Sequence, residues 1–179
     1  MPKSWIDWYH ITVHAYGSWL RGDPRGWRSR DHREHVQGDY KNPPPKGKYD
    51  RLSAKSKSLM PREPVRIATD LRKFVVDSFV ERLHRDDIEV LAASVDSKHI
   101  HLVARFEDHR PHHWIGRAKK HVSHLLRQEG LREDEGGLWA KRSRAEPIKD
   151  RKHQLNCFRY IIAHSSKGAV IWRIDRNSK

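Results

Sequence analysis

The sequence predicts an α+β fold of the ferredoxin-like (RRM-like) kind, an antiparallel sheet with helices along one face. Three observations predict it. Residues 8–16 (WYHITVHAY) and the later part of 94–106 (SVDSKHIHLVARF) alternate with a period of two, as half-buried strands do. Residues 64–85 and 112–128 repeat apolar side chains at helical spacing. The order along the chain is strand, long insert, helix, strand, strand, helix, then helix and strand. It folds most simply with helices packed on one side of a sheet and the other side open.

In the first strand, Tyr9, Ile11, Val13 and Ala15 alternate with Trp8, His10, Thr12, His14 and Tyr16. The second set makes a polar face that carries histidines. Residues 17–63 hold YGSWLRGDPRGWRSR chemistry followed by NPPPKGK, with few branched apolar residues, and read as a basic, loop-rich insert in a single domain spanning 1–179. Residues 64–85 form the first amphipathic helix, with Ile67, Leu71, Phe74, Val75, Ser78 and Phe79 at helical spacing and Pro64 in its first turn. Residues 88–95 read as a strand, and Asp96-Ser97-Lys98 as a tight turn into the next, so the two form a hairpin.

That next strand puts His99, His101, Val103 and Arg105 on one face and Ile100, Leu102, Ala104 and Phe106 on the other. The second set is a core face. The second helix, residues 112–128, buries Ile115, Ala118, Val122 and Leu125, with Gly130 as its C-cap, and shows Arg117, Lys120, His124 and Arg127 on another face. Residues 136–150 are Gly-rich and then basic, a loop or short hairpin. Residues 153–164 make a third helix, with Leu155, Phe158 and Ile162 as its apolar side and His153, Cys157, Tyr160 and His164 on a different stripe. Residues 169–174 make a last short strand.

Composition narrows the function. The chain has 179 residues, and 37 Lys and Arg against 23 Asp and Glu give a net charge of +14, which calls for a polyanion partner. No helix joins a basic face to a broad exposed aromatic one, so a membrane surface is disfavoured, and no segment is long and apolar enough to span a bilayer. The lone Cys157 excludes a disulfide framework and a thiolate zinc cluster. With no apolar leader at the N-terminus, the expected place is the cytoplasm. Seven tryptophans interleaved with the charge suit stacking on unpaired bases.

Each conspicuous side chain has an ordinary reading. Two histidines on an open strand face are common polar residues, a helical tyrosine is usually half-buried with its hydroxyl in water, and a histidine ending a helix answers the dipole. Together they form a coherent site. Tyr160 and His164, four apart, are neighbours on the helix surface. His99, His101 and His164 could hold a divalent cation that polarises a phosphate oxygen, their neutral rings leaving the ion's charge available. A phenol, with a pKa near 10, leaves far more readily than an alcohol, so a phosphotyrosine conserves the energy of the broken diester and makes the transfer reversible.

At these residues the chain resembles the HUH single-strand endonucleases. His99-Ile100-His101 is similar to their His-hydrophobe-His signature. FRYIIAHSSKGAVIW resembles the tail helix of the single-tyrosine insertion-sequence transposases and REP-associated tyrosine transposases, and WYHITVHAYGSWLRGDPRGW resembles the first strand and loop of a bacterial subgroup. The resemblance implies HUH architecture, Tyr160 as nucleophile forming a 5′-phosphotyrosine, Mg²⁺ or Mn²⁺ on His99 and His101, and His164 where relatives carry a metal-assisting polar residue. It implies single-stranded or hairpin DNA as partner in a bacterial cell, and leaves monomer or homodimer open. His164-Ser165 stands where relatives have Asn-Pro, and Asp96-Ser97-Lys98 where many have Pro-Asn. The third ligand, and a mobile against a domesticated protein, therefore stay open. Candidate DNA contacts are Arg105, Lys120, Arg21, Arg25 and Arg28. Two other readings are a non-catalytic single-strand-binding module, which would need aromatic platforms where this strand has His, His, Val and Arg, and a metal hydrolase with a water nucleophile.

Overall fold

The computed structural model describes residues 5–28, 34–36, 42–132 and 136–174. Along the chain the elements are β1 Trp8–Ala15, β2 Trp27–Arg28, β3 His35–Val36, α1 Asp50–Ser58, α2 Arg72–Arg85, β4 Glu89–Val95, β5 His99–Arg105, α3 Pro111–Gln128, β6 Trp139–Pro147, α4 Arg151–Ala163 and β7 Val170–Arg173. They fall into two compact units, residues 1–15 with 66–179, and residues 16–65.

The larger unit is built on a five-stranded antiparallel sheet in the order β6-β1-β5-β4-β7. Leaving out β7, its strands lie fourth, first, third, second by chain order, the arrangement of a ferredoxin-like split βαβ pair. The expected fold class holds. Its core face carries Ile11, Val13, Ile100, Leu102 and Ala104, all fully buried. Helix α2 covers it with Val75, Val76, Phe79, Val80 and Leu83, and α3 with Ile115, Ala118, Val122 and Leu126. The Phe79 ring meets Trp139 edge-on at 6.1 Å, which ties α2 to the β6 end of the sheet. Leu126, four residues after Val122, fills the place expected for Leu125, which is half-buried.

The layout of helices on one face holds for α2 and α3. Helix α4 lies on the other face, where Cys157 and Ile161 pack with Trp8, Ala92, Val103 and Ile148. Its buried stripe is Gln154, Cys157 and Ile161, continued by His164, and not the expected Leu155, Phe158 and Ile162, which flank it half-buried. The small side chain of Ala92 lets the helix approach closely, and its polar residues find partners at either end. Asp150 caps the helix by accepting the His153 N–H at 2.7 Å.

Two assignments differ from the sequence reading. Residues 64–68 lie outside any helix or strand, Thr69–Leu71 is a 3₁₀ turn, and α2 begins at Arg72. Ile67 is buried although it precedes the helix, and its N–H donates to Ser97 O in the β4–β5 turn at 2.9 Å. Residues 139–147, read as loop or hairpin, form the edge strand β6 paired with β1. Its WAKRSRAEP sequence has no apolar alternation, since one face and the outer edge meet solvent, and charges there discourage pairing with another sheet. The expected β4–β5 hairpin is present.

The smaller unit contains α1, in a stretch read as loop, and the short β2–β3 ladder. Trp27 is buried and meets Tyr49 edge-on at 5.4 Å. Gly22, at φ 87°, lies where a Cβ would fall 2.4 Å from the Ser53 backbone nitrogen, so only glycine fits. Among the described residues, no helix is long and apolar enough to cross a membrane.

Candidate active site

On the face of β5 away from α2 and α3, His99 and His101 stand side by side, ring centroids 4.5 Å apart. Strand β1 supplies their neighbours in register, Thr12 opposite His101 and His14 opposite His99. His14 stacks on His99 at 5.9 Å and 13°. Helix α4 brings Tyr160 and His164 over the same spot. The His101 ring lies 5.0 Å from His164 and 5.3 Å from Tyr160, and Tyr160 lies 4.5 Å from His164. The tyrosine is 47% exposed, so it is open to a substrate from outside.

Each of the three histidines has its Nδ1 engaged. His99 Nδ1 lies 2.7 Å from Asp96 Oδ1, and His101 Nδ1 lies 3.2 Å from Thr12 Oγ1. His164 Nδ1 donates to the Tyr160 carbonyl at 2.8 Å. Asp96 is itself fixed by the N–H groups of Lys98 at 2.7 Å and His99 at 2.9 Å, an Asx turn that shapes the hairpin. Such outer partners orient imidazoles and direct the remaining nitrogen at a metal.

Burial keeps the His101 and His10 rings neutral. Burial pushes His101 down to about 2, with His99, His10 and His164 adding to it and Asp96 opposing. Burial likewise pushes His10 down to about 4. Burial alone would raise the Asp96 carboxyl, but hydrogen bonds from the His99 ring and from the Lys98 and His99 backbones outweigh it and leave Asp96 well below the usual carboxylate range. A neutral imidazole offers a lone pair, and an ionised carboxylate behind it raises its basicity as a ligand.

The donor set fits a divalent cation. One ligand atom from each of His99, His101 and His164 lies within 4.8 Å of the others. His101 Nε2 is buried without a hydrogen-bond partner, a cost that an ion would relieve. Three imidazoles by themselves favour zinc, iron or nickel, whereas a harder ion such as magnesium or manganese needs oxygen ligands beside them.

The other sequence candidates lie elsewhere. Arg105 sits at the far end of β5, paired with Glu107 at 3.2 Å and 3.9 Å from Asp7. Lys120 is exposed on α3, which packs on the opposite face. Arg21 and Arg25 belong to the smaller unit, where Arg21 pairs with Glu34 and lies over Trp27, and Arg25 pairs with Asp23 and lies over Trp19 at 4.4 Å. The Arg28 backbone pairs with His35, and its side chain lies outside the described part. The structure adds Asp96, Thr12 and His10. His10 stands 5.5 Å from His101 and edge-on to Tyr160 at 5.9 Å. The Asp three residues before His99 was a readable signal for an Asx turn. Thr12 needed the register.

A protein-family model, described as IS200-like transposase, matches residues 60–164, a span that includes Asp96, both strand histidines, Tyr160 and His164. Among solved structures, the chain is similar to a REP-associated tyrosine transposase bound to a REP hairpin, at 14% identity and a TM-score of 0.48, over 94% of this chain and 73% of that one. No curated protein matches.

Proposed function

The chain belongs to the IS200-like transposase family, and on that premise we propose that it cleaves and rejoins single-stranded DNA through a phosphotyrosine on Tyr160. The observation that carries the reading is the convergence, within one chain, of an exposed phenol and three histidines, Tyr160 lying 5.3 Å from His101 and 4.5 Å from His164.

In this reading His99, His101 and His164 hold Mg²⁺ or Mn²⁺, which when bound polarises the scissile phosphate and stabilises the charge that develops on it. The Tyr160 oxygen attacks phosphorus, the bond from phosphorus to the 3′ oxygen breaks, and that oxygen takes up a proton. The product is a 5′-phosphotyrosine and a free 3′-hydroxyl. An incoming 3′-hydroxyl reverses the step, restoring the diester and the phenol. Asp96 and Thr12 hold the two strand imidazoles in place, and the Tyr160 carbonyl holds the third.

DNA, single-stranded or folded in a hairpin, fits the charge of +14. The unit formed by residues 16–65 lies almost wholly outside the matched span, and we read it as a module inserted in one transposase domain. Its Arg21 and Arg25, beside Trp27 and the 45% exposed Trp19, suit contact with backbone and bases. Arg28, Arg105 and Lys120 are secondary candidates for phosphate contact.

The test is a denaturing gel with labelled hairpin DNA and manganese. Wild type is expected to become covalently linked. Lack of linkage would overturn the reading, and cleavage retained by Tyr160→Phe would assign the reaction to a water nucleophile.

A further inference from the structure

We infer that Arg144 on β6 is a phosphate-gripping residue for the substrate strand, held in reserve by Glu146. The inference rests on the histidine face being the reaction centre. The register supplies the placement. His101 on β5 pairs with Thr12 on β1, and Thr12 pairs with Arg144 on β6. Directly paired residues project from the same face of a sheet. Arg144 therefore stands in one row with His101, two strand spacings away, about 10 Å between backbones. Two pairs along, on the same face, Glu146 is opposite His10, whose ring lies edge-on to Tyr160. A nucleic-acid strand crossing the sheet with one phosphate at the histidines would present a neighbouring phosphate to Arg144.

The side chain is built for exchange. The Arg144 Nη2 donates to Glu146 Oε2 at 2.9 Å, and the pair is 71% and 39% exposed. An exposed pair of this kind contributes little net stability. A phosphate offers the guanidinium two acceptor oxygens in a geometry it matches, and so competes well for it. Glu146 meanwhile fixes the guanidinium on this face and occupies the place of the phosphate when DNA is absent. The arginine also lies on an edge strand whose one open side leaves room for a long polymer, while α4 covers the other half of the face.

The experiment reads binding apart from chemistry. Fluorescence anisotropy of a labelled single-stranded oligonucleotide is measured over a range of salt with Tyr160→Phe protein, alone and carrying Arg144→Gln, Glu146→Gln or Lys73→Gln. Lys73, on α2 over the opposite face, removes the same unit of charge. Arg144→Gln is expected to weaken binding about tenfold. It should also flatten the slope of log affinity against log salt by about 0.7, the share of a single phosphate on a single strand. Glu146→Gln is expected to tighten binding, and Lys73→Gln to leave the slope unchanged. An unaltered slope in Arg144→Gln, or an equal weakening in Lys73→Gln, overturns the inference. Covalent linkage by Tyr160-containing protein is scored separately, so a failed nucleophile and a failed phosphate grip give different results.

Discussion

The His164 ring donates from Nδ1 to the carbonyl of Tyr160, one helical turn earlier, at 2.8 Å. The bond leaves Nε2 as the nitrogen that can meet an ion, and it joins the third proposed ligand to the backbone of the proposed nucleophile. Substitutions at this site and at its supports should therefore separate chemistry, metal binding and folding.

Replacing Tyr160 with Phe removes one oxygen and keeps the ring that packs beside His101. Covalent linkage to DNA should vanish, with affinity for single-stranded DNA changed less than about threefold, since phosphate contacts supply most of that affinity. A denaturing gel and an anisotropy titration check the two halves.

Asp96→Asn replaces an ionised acceptor with a neutral amide at the His99 ring. Loss of such an outer partner typically costs about 10–100-fold in metal affinity. Calorimetric titration of Mn²⁺ should show that loss, with circular dichroism unchanged. Asp96→Ala should cost more, because the turn N–H groups of Lys98 and His99 also lose their acceptor.

Ile161→Ala empties a fully buried site between α4 and the sheet. Stability should fall by about 2–5 kcal/mol, read from denaturant unfolding. Linkage to DNA should fall with it at temperatures where the protein stays folded, because Ile161 adjoins Tyr160 and docks the helix that carries it.

His121 titrates below the usual histidine range, because burial disfavours its charged form and Arg82, Arg85 and His124 repel a proton, against the opposing pull of Glu81. Its Nε2 is buried without a partner. The unfolded chain takes up the proton first as pH falls below about 6.5. Stability from this group is therefore present above that pH and declines as pH drops toward the folded-state value. Thermal melts in chelator at pH 7 and 5.5 should differ, and His121→Leu should narrow the difference.

Much of this site can be read from the residues alone. Alternation in 8–16 and 99–106 defines β1 and β5, and the alternation by itself puts His99 and His101 on one face. The spacing of Tyr160 and His164 makes them neighbours on any helix. Pairing was less legible. Register decides that Thr12 meets His101 and that Arg144 joins the row, and a sliding strand reads the same in one dimension. Strand β6 was missed because its KRSR segment has no apolar face to announce it. The face of α4 was missed because the sheet beneath offers Ala92 and Val103 for Cys157 and Ile161 while Gln154 and His164 satisfy their polar groups nearby. In Gln154 the acceptor oxygen is met by Arg151.

The placement of Tyr160 and His164 on one helix also constrains how such a protein can diversify. A single residue inserted between them would swing one against the other by about 100°, and no shift of the helix as a whole could restore both. The turn from Tyr160 to His164 therefore admits no insertion or deletion, whatever else in α4 changes.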